Sequence, residues 1–194
     1  MIDSHPEPTP DKIRPYIEWL KPHFNVRTIY VTELTSTEVK EDSIVVTGSE
    51  WQILRVPVPG IMTRLYLETR KPLLGICWGH QTLAHAWGAR ITSKPFIQTV
   101  EKIEVGKKDK LLEGMGERFY AFQSHYEHVV KDKALLKHFD VLADSASCEV
   151  EAIRHKERPL FGTQFHLERS GEICLPMAQN FAKIVIGYSW KIDK

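Results

Sequence analysis

The stretch Pro72-Leu-Leu-Gly-Ile-Cys-Trp-Gly-His-Gln81 predicts a sharp turn from a buried strand into a helix, and it decides the fold. Cys77 stands at the turn, flanked by Gly75 and Gly79 in the Gly-x-Cys-x-Gly form of a nucleophile elbow. The two glycines leave room where a Cβ would collide with neighbouring backbone. The following helix begins beside the sulfur, where its dipole favours a thiolate. The pattern therefore predicts Cys77 as a nucleophile, with the Trp78 amide as an oxyanion donor.

A second stretch, Leu160-Phe-Gly-Thr-Gln-Phe-His-Leu-Glu168, supplies a candidate base and its orienting acid. In extended backbone, residues two apart point to the same side, so Glu168 can hold one ring nitrogen of His166. Alone, a histidine beside a glutamate is most often an unrelated surface pair. Together with the elbow, the two stretches predict a Cys77-His166-Glu168 triad.

Apolar patterns alternate between strands and helices in the first half of the chain, which predicts βαβ units and a parallel sheet. The expected strands are 26–31, 44–46, 73–76, 100–105, 118–122, 129–131, 139–143, 150–155 and 160–164. The expected helices begin after Thr9 as N-cap, and cover 61–70, 79–87 and 176–186, with Gly187 ending the last one. We expect one α/β domain over residues 1–194, with an open, mostly parallel, flavodoxin-like central sheet, helices on both faces and a strand-rich second half. Residues 1–10 are expected to be an irregular lead-in.

Composition excludes several classes of protein. The chain has 194 residues with 26 Lys+Arg against 25 Asp+Glu, a net charge of +1, so charge gives no reason to expect a nucleic acid or a membrane surface as partner. It has no signal-peptide pattern and no apolar run of about 18–20 residues, which predicts a soluble cytoplasmic protein. Its three cysteines are too few for a disulfide framework. Cys148 and Cys174 lack a helix entry and a base, so we expect them to be buried bystanders.

The two motifs together resemble those of the class I (triad) glutamine amidotransferases, from about Ile29 to Tyr188. Ser124-His125 and residues 148–153 are further similar to the separate glutaminase subunit of archaeal-type GMP synthases. The resemblance implies that Cys77 attacks glutamine to form a γ-glutamyl thioester, that His166 is the general acid/base and that Glu168 orients it. It also implies a synthase partner that accepts the ammonia. No cofactor is implied.

The resemblance also assigns residues around the triad. It implies that the amides of Gly48 and Trp78 form the oxyanion hole, and that Gln81, Ser124 and His125 hold the glutamine. No metal site is expected, because the histidine pairs 80/85 and 125/128 lack partners at zinc-ligand spacing.

Three departures from the family pattern keep other functions open. Leu167 stands where the family usually has proline, residues 47–50 read Thr-Gly-Ser-Glu rather than Ser-Gly-Gly-Pro, and only Met1-Ile2 precede Asp3 at the first strand. The Thr-Gly-Ser loop resembles a γ-glutamyl peptidase-like branch, so a stand-alone γ-glutamyl hydrolase is one alternative. A degenerate, non-catalytic amidotransferase-like protein that serves as a binding or regulatory subunit is another. A dienelactone-type hydrolase fits less well, because its acid precedes the final histidine.

Overall fold

The computed structural model describes residues 1–192, and the strands in this range form one nine-stranded mixed sheet in the order β2-β1-β3-β4-β9-β8-β7-β5-β6. The strands are β1 (Ile2–Asp3), β2 (Ile29–Tyr30), β3 (Ile44–Val46), β4 (Leu73–Ile76), β5 (Ile91–Val105), β6 (Arg118–Val129), β7 (Phe139–Ser145), β8 (Ala152–His155) and β9 (Leu160–Thr163). The five strands from β2 to β9 pair in parallel, and the remaining pairings are antiparallel. This confirms an α/β fold with a strand-rich second half.

Helices cover both faces of this sheet. They are α1 (Pro10–Leu20), α2 (Gly60–Glu68), α3 (Trp78–Ala86), α4 (Lys133–His138) and α5 (Leu175–Ile192). Strand β4 divides its side chains between two apolar clusters: Leu74 packs with α1 and α5 on one face, and Leu73 packs with α2 and α3 on the other. Within residues 1–192, the helices lack the combination of length and apolar character that crossing a bilayer requires.

The lead-in contains more structure than expected. Ile2 pairs in parallel with both Ile29 and Val46, so the expected irregular segment 1–10 begins with a short internal strand. The strand is only two residues long, and the prolines that follow it in residues 6–10 lack the amide donors that a longer ladder needs. Thr9 does precede α1, but its hydroxyl donates to the Glu7 carbonyl rather than capping the helix.

Five other expected boundaries were wrong. The strand expected over 26–31 is limited to β2, because Val31 already begins a 3-10 turn, Val31–Glu33. The strands expected over 100–105 and 118–122 are parts of the long β5–β6 hairpin, whose register shifts between Ser93 and Ile97, and the strand expected over 129–131 is limited to Val129, the last residue of β6. Gly187 does not end α5, since it is not among the glycines with positive φ, and a glycine ends a helix by adopting that conformation.

The pairing of β4 with β9 positions the two functional motifs. These strands are parallel neighbours with Gly75 opposite Gly162 and Ile76 opposite Thr163. Cys77 and the segment leading to His166 therefore leave the sheet at the same edge, at the carboxyl ends of adjacent strands, where α/β proteins place their ligands.

The turn from β4 into α3 is closely packed against the sheet. A Cβ added to Gly75 would lie 2.4 Å from the carbonyl carbon and oxygen of Gly79, and one added to Gly79 would lie 2.6 Å from the Val46 oxygen. Both contacts are with backbone, which cannot rotate away. The sequence-based expectation that these glycines provide clearance is correct.

We predict that Gly75→Ala destabilises the protein by at least about 3 kcal/mol, because the new methyl group overlaps the backbone of α3. Gly60→Ala is the control: Gly60 is the first residue of α2, and nothing lies within 4 Å of its added Cβ. Urea unfolding of both variants checks this. Equal stabilities for the two variants would contradict the assigned packing.

Acid should unfold the protein through its buried histidines. Burial is the main cause that lowers the folded-state pKa of four of them: His80 to about 3, His125 to about 3, His128 to about 4 and His155 to about 4. These histidines have a pKa of about 6.5 in the unfolded state, which therefore binds more protons than the folded state between pH 6.5 and pH 4, so their contribution to stability is complete above about pH 6.5 and falls towards pH 4. Glu151 opposes this trend. Burial raises its pKa to about 7, so the folded state binds one proton there that the unfolded state does not.

We expect the urea midpoint to drop between pH 7 and pH 5, with exposed His23→Gln giving the same pH dependence as wild type. A midpoint independent of pH over this range would contradict the prediction.

Candidate active site

Cys77 occupies a strained backbone conformation. Its φ is 50° and its ψ is −102°, and it is the only residue other than glycine with positive φ in the part of the chain that the structure describes. Residues held in such conformations are concentrated at functional sites, where surrounding packing maintains the strain. The conformation places Cys77 directly before the first turn of α3, whose amides have no intrahelical acceptor.

Two polar groups contact the sulfur of Cys77. Its Sγ donates to the Ser124 carbonyl at 3.8 Å, and the side-chain amide of Gln164 donates to Sγ at 3.6 Å. Gln164 is fully buried, and its own oxygen accepts from Nε2 of Gln81 at 3.1 Å. Gln81 Nε2 also donates to the Glu127 carbonyl at 2.7 Å. Gln81, which the resemblance assigns to substrate, is thus linked to the sulfur of Cys77 through the side chain of Gln164.

His166 and Glu168 form a buried pair. Nδ1 of His166 lies 2.7 Å from Oε1 of Glu168, whose side chain is 1% exposed. Burial by itself lowers the pKa of His166, but the Glu168 and Cys77 charges and their hydrogen bonds outweigh it and raise the pKa to about 10. His166 therefore keeps its proton at neutral pH. Its Nε2 is buried with no hydrogen-bond partner among residues 1–192, so this nitrogen is available to exchange a proton with the reacting groups at Cys77.

Leu167 does not disturb this pair. It begins a 3-10 turn, Leu167–Arg169, and its side chain is buried. The hydroxyl of Ser170 donates to the His166 carbonyl at 2.5 Å and accepts from the Phe122 amide at 2.9 Å. These bonds brace the backbone where the family usually has proline.

The two predicted oxyanion donors differ in their surroundings. Trp78 is the first residue of α3, so its amide belongs to the free amides of that helix terminus. The Gly48 amide instead donates to the hydroxyl of Tyr16 at 3.0 Å. Gly48 is nonetheless beside the triad, since its added Cβ would lie 3.1 Å from Cε1 of His166 and 3.5 Å from Cβ of Cys77.

His125 is fixed through a buried polar chain. Its Nε2 lies 3.1 Å from Oε1 of Gln123, and Nε2 of Gln123 donates to Glu151 at 2.6 Å. Because burial lowers the pKa of His125 to about 3, the ring is neutral and Nε2 carries the proton that Gln123 accepts. The sequence assigned His125 and Ser124 to substrate, and both face the cavity described next.

A cavity of about 580 Å³ contains the triad and opens to solvent. Its lining includes every residue that the sequence assigned to catalysis or binding, with the exception of Trp78. The lead-in forms one wall through His5, whose Nδ1 lies 2.7 Å from Oδ1 of Asp3. The hydroxyl of Tyr30 donates to the carbonyl groups of His5 and Pro6, at 2.7 and 2.5 Å.

The other cysteines lie outside this cavity. Cys148 is 1% exposed and Cys174 is fully buried. Burial raises the pKa of the Cys148 thiol far above its usual value and that of Cys174 to about 12. Within residues 1–192, no three His, Cys, Asp or Glu side chains form a group that could hold a metal ion.

Sequence reasoning missed three residues of this site: Tyr16, Gln123 and Gln164. Gln164 lies within the quoted second motif, two residues before the histidine, and its position in an extended segment beside the elbow was the available signal. For Tyr16 the sequence indicated only a core position, because this residue belongs to the apolar helical stripe that packs α1 on the sheet. Gln123 had none.

Comparison with known proteins agrees with this geometry. The profile of the family described as glutamine amidotransferase class-I matches residues 23–181. The glutamine-hydrolysing GMP synthase subunit of Methanosphaera stadtmanae is 31% identical over 176 residues, covering 86% of this chain and 89% of that protein. The same subunit of Methanothermobacter thermautotrophicus is 41% identical over 98 residues, which cover 50% of this chain and about half (51%) of that relative's length.

Among solved structures, a candidate GMP synthase subunit from Thermoplasma acidophilum shares the fold, with a TM-score of 0.82 at 23% identity over 100% of this chain and 98% of that chain. The family profile covers most of the chain, and the Methanosphaera relative matches along nearly its whole length. This chain therefore belongs to the class-I glutamine amidotransferase family.

Proposed function

We propose that this chain is a glutaminase that hydrolyses glutamine through a Cys77 γ-glutamyl thioester and supplies the ammonia to a synthase partner within a GMP synthase. The observation that carries the proposal is the meeting of the strained Cys77 with the buried His166–Glu168 pair at one sheet edge. The names of the curated relatives, which are glutamine-hydrolysing subunits of GMP synthase, support the choice of substrate and partner.

In the first half-reaction, the Cys77 thiolate attacks the side-chain amide carbon of glutamine. The carbonyl oxygen becomes an oxyanion, which the Trp78 amide at the start of α3 is placed to stabilise. The protonated His166 gives its proton to the amide nitrogen as the carbon–nitrogen bond breaks, and ammonia leaves. Because the pKa of His166 is raised to about 10, the proton is available at neutral pH.

In the second half-reaction, water replaces ammonia. The now neutral His166 removes a proton from water, the hydroxide oxygen bonds to the thioester carbon, and the carbon–sulfur bond breaks to return the thiolate. Glu168 holds the imidazole by Nδ1 throughout, so that Nε2 serves both proton transfers. The products are glutamate and the ammonia that the synthase consumes.

The first test is ammonia release from glutamine. We expect Cys77→Ala to abolish it, while Cys148→Ala, which removes a buried thiol outside the cavity, retains it. Coupled measurement of glutamate and ammonia gives the rates, with γ-glutamyl peptides as competing substrates. Faster cleavage of the peptides than of glutamine would favour the stand-alone hydrolase, and equal rates for wild type and Cys77→Ala would refute the triad.

The second test concerns Glu168. Glu168→Gln removes the charge that opposes burial at His166, so the pKa of His166 should fall and the imidazole should become neutral near pH 7. We expect kcat for glutamine to fall at least about 100-fold, as in other triads that lose their acid. The exposed Glu172→Gln is the control. A kcat within a few-fold of wild type would show that His166 does not depend on this carboxylate.

A further inference from the structure

The hydroxyl of Tyr16 lies where the oxyanion loop and the triad meet. Tyr16 projects from α1, is 3% exposed, and accepts the Gly48 amide at 3.0 Å. The position of an added Gly48 Cβ lies within 3.5 Å of three groups: the Tyr16 hydroxyl, Cε1 of His166 and Cβ of Cys77. The phenol therefore touches the loop at the point where that loop contacts both the base and the nucleophile.

The same hydroxyl has a proton to donate. Burial, followed by the neighbouring Glu168 and Cys77 charges, raises the pKa of Tyr16 well above its usual value, so the phenol is neutral. A buried O–H that accepts from an amide still needs an acceptor for its own proton. The Glu168 carboxylate lies beside it, and Oε2 of Glu168 is buried with no hydrogen-bond partner in the described residues, so it is available to accept this proton.

Helix α1 contacts the same two segments elsewhere. Lys12 forms an ion pair with Glu50, which lies two residues after Gly48. Trp19 donates from Nε1 to the Cys174 carbonyl at 3.1 Å, in the segment that follows the 3-10 turn carrying Glu168. Tyr16 stands between these two contacts along the helix. Helix α1 therefore holds the loop on one side and the acid-bearing segment on the other.

We propose that Tyr16 is a positioning residue of the hydrolysis, whose hydroxyl accepts from the Gly48 amide and donates to Oε2 of Glu168. Through these two bonds it holds the oxyanion loop in place beside the triad and keeps Oε1 of Glu168 directed at His166. This inference rests on the proposed function for its kinetic consequence. The site carries no proline between His166 and Glu168, and the Ser170 bonds brace only the backbone there, so the Tyr16 hydroxyl adds a restraint on the carboxylate itself.

Tyr16→Phe removes the hydroxyl and retains the ring that packs in the core. We expect kcat for glutamine to fall about ten-fold or more while KM changes less than about two-fold. The variant loses a hydrogen bond to a buried charge, but it keeps every contact with the substrate. The matched control is Tyr66→Phe on α2, another fully buried phenol, whose hydroxyl contacts Thr82 at 2.8 Å. It should lose comparable stability and retain kcat.

A second measurement separates positioning from general damage. The rate of Cys77 alkylation by iodoacetamide, followed against pH, reports the thiolate paired with protonated His166. We expect the midpoint in Tyr16→Phe to move to higher pH, in the same direction as in Glu168→Gln and by less, because a misaligned carboxylate stabilises the imidazolium less well. Tyr66→Phe should leave the midpoint at the wild-type value.

The outcomes are distinct. An unchanged kcat and midpoint in Tyr16→Phe, an increased kcat, or an equal loss in Tyr66→Phe would overturn the role of Tyr16. If wild type alkylates at Cys77 with the expected shift in Tyr16→Phe but releases no ammonia from glutamine, the positioning role stands and the proposed function fails.

Discussion

The close approach of α3 to the end of β4 is the constraint on which the site depends. The backbones come so near at Gly75 and Gly79 that neither position has room for a methyl group, and Cys77 between them is held at a φ of 50°. A more relaxed turn would let the cysteine adopt an ordinary conformation and leave the helix terminus. The nucleophile is thus placed by packing forces that are independent of the groups that later react with it.

The buried histidines around the site have pKa values shifted in opposite directions, although burial lowers the pKa of each. His80, His125 and His128 have lowered pKa values, because their surroundings withdraw water and offer no charged partner at hydrogen-bond distance. His166 is buried as well, but Glu168 lies 2.7 Å away and reverses the direction. The Glu168 carboxylate, together with the charge of Cys77, therefore distinguishes a proton donor from three neutral rings.

The sequence predicts those parts of the molecule that depend on local chemistry. The elbow and the extended His166-x-Glu168 spacing are readable because each rests on a few adjacent residues. The length of the β5–β6 hairpin, the short internal strand at Ile2 and the continuation of α5 through Gly187 depend on pairing and packing with distant segments. Tyr16 could be read as a core residue from its helical spacing, but no local pattern reveals what its hydroxyl meets.

The wall of the cavity and its floor are maintained by different means. The floor is the crowded edge of β4 and β9, whereas the wall at His5 lies outside regular structure and is attached by the Tyr30 hydroxyl and the Asp3 carboxylate. Changes in residues 5–9 can therefore reshape the entrance, whereas Ser4 is tied to the oxyanion loop, because its hydroxyl donates to the carbonyl groups of Thr47 and Gly48. The shape of the entrance and the geometry of the reacting groups thus depend on different contacts, and a lineage can vary the first by exchanging residues 5–9 while it keeps the second.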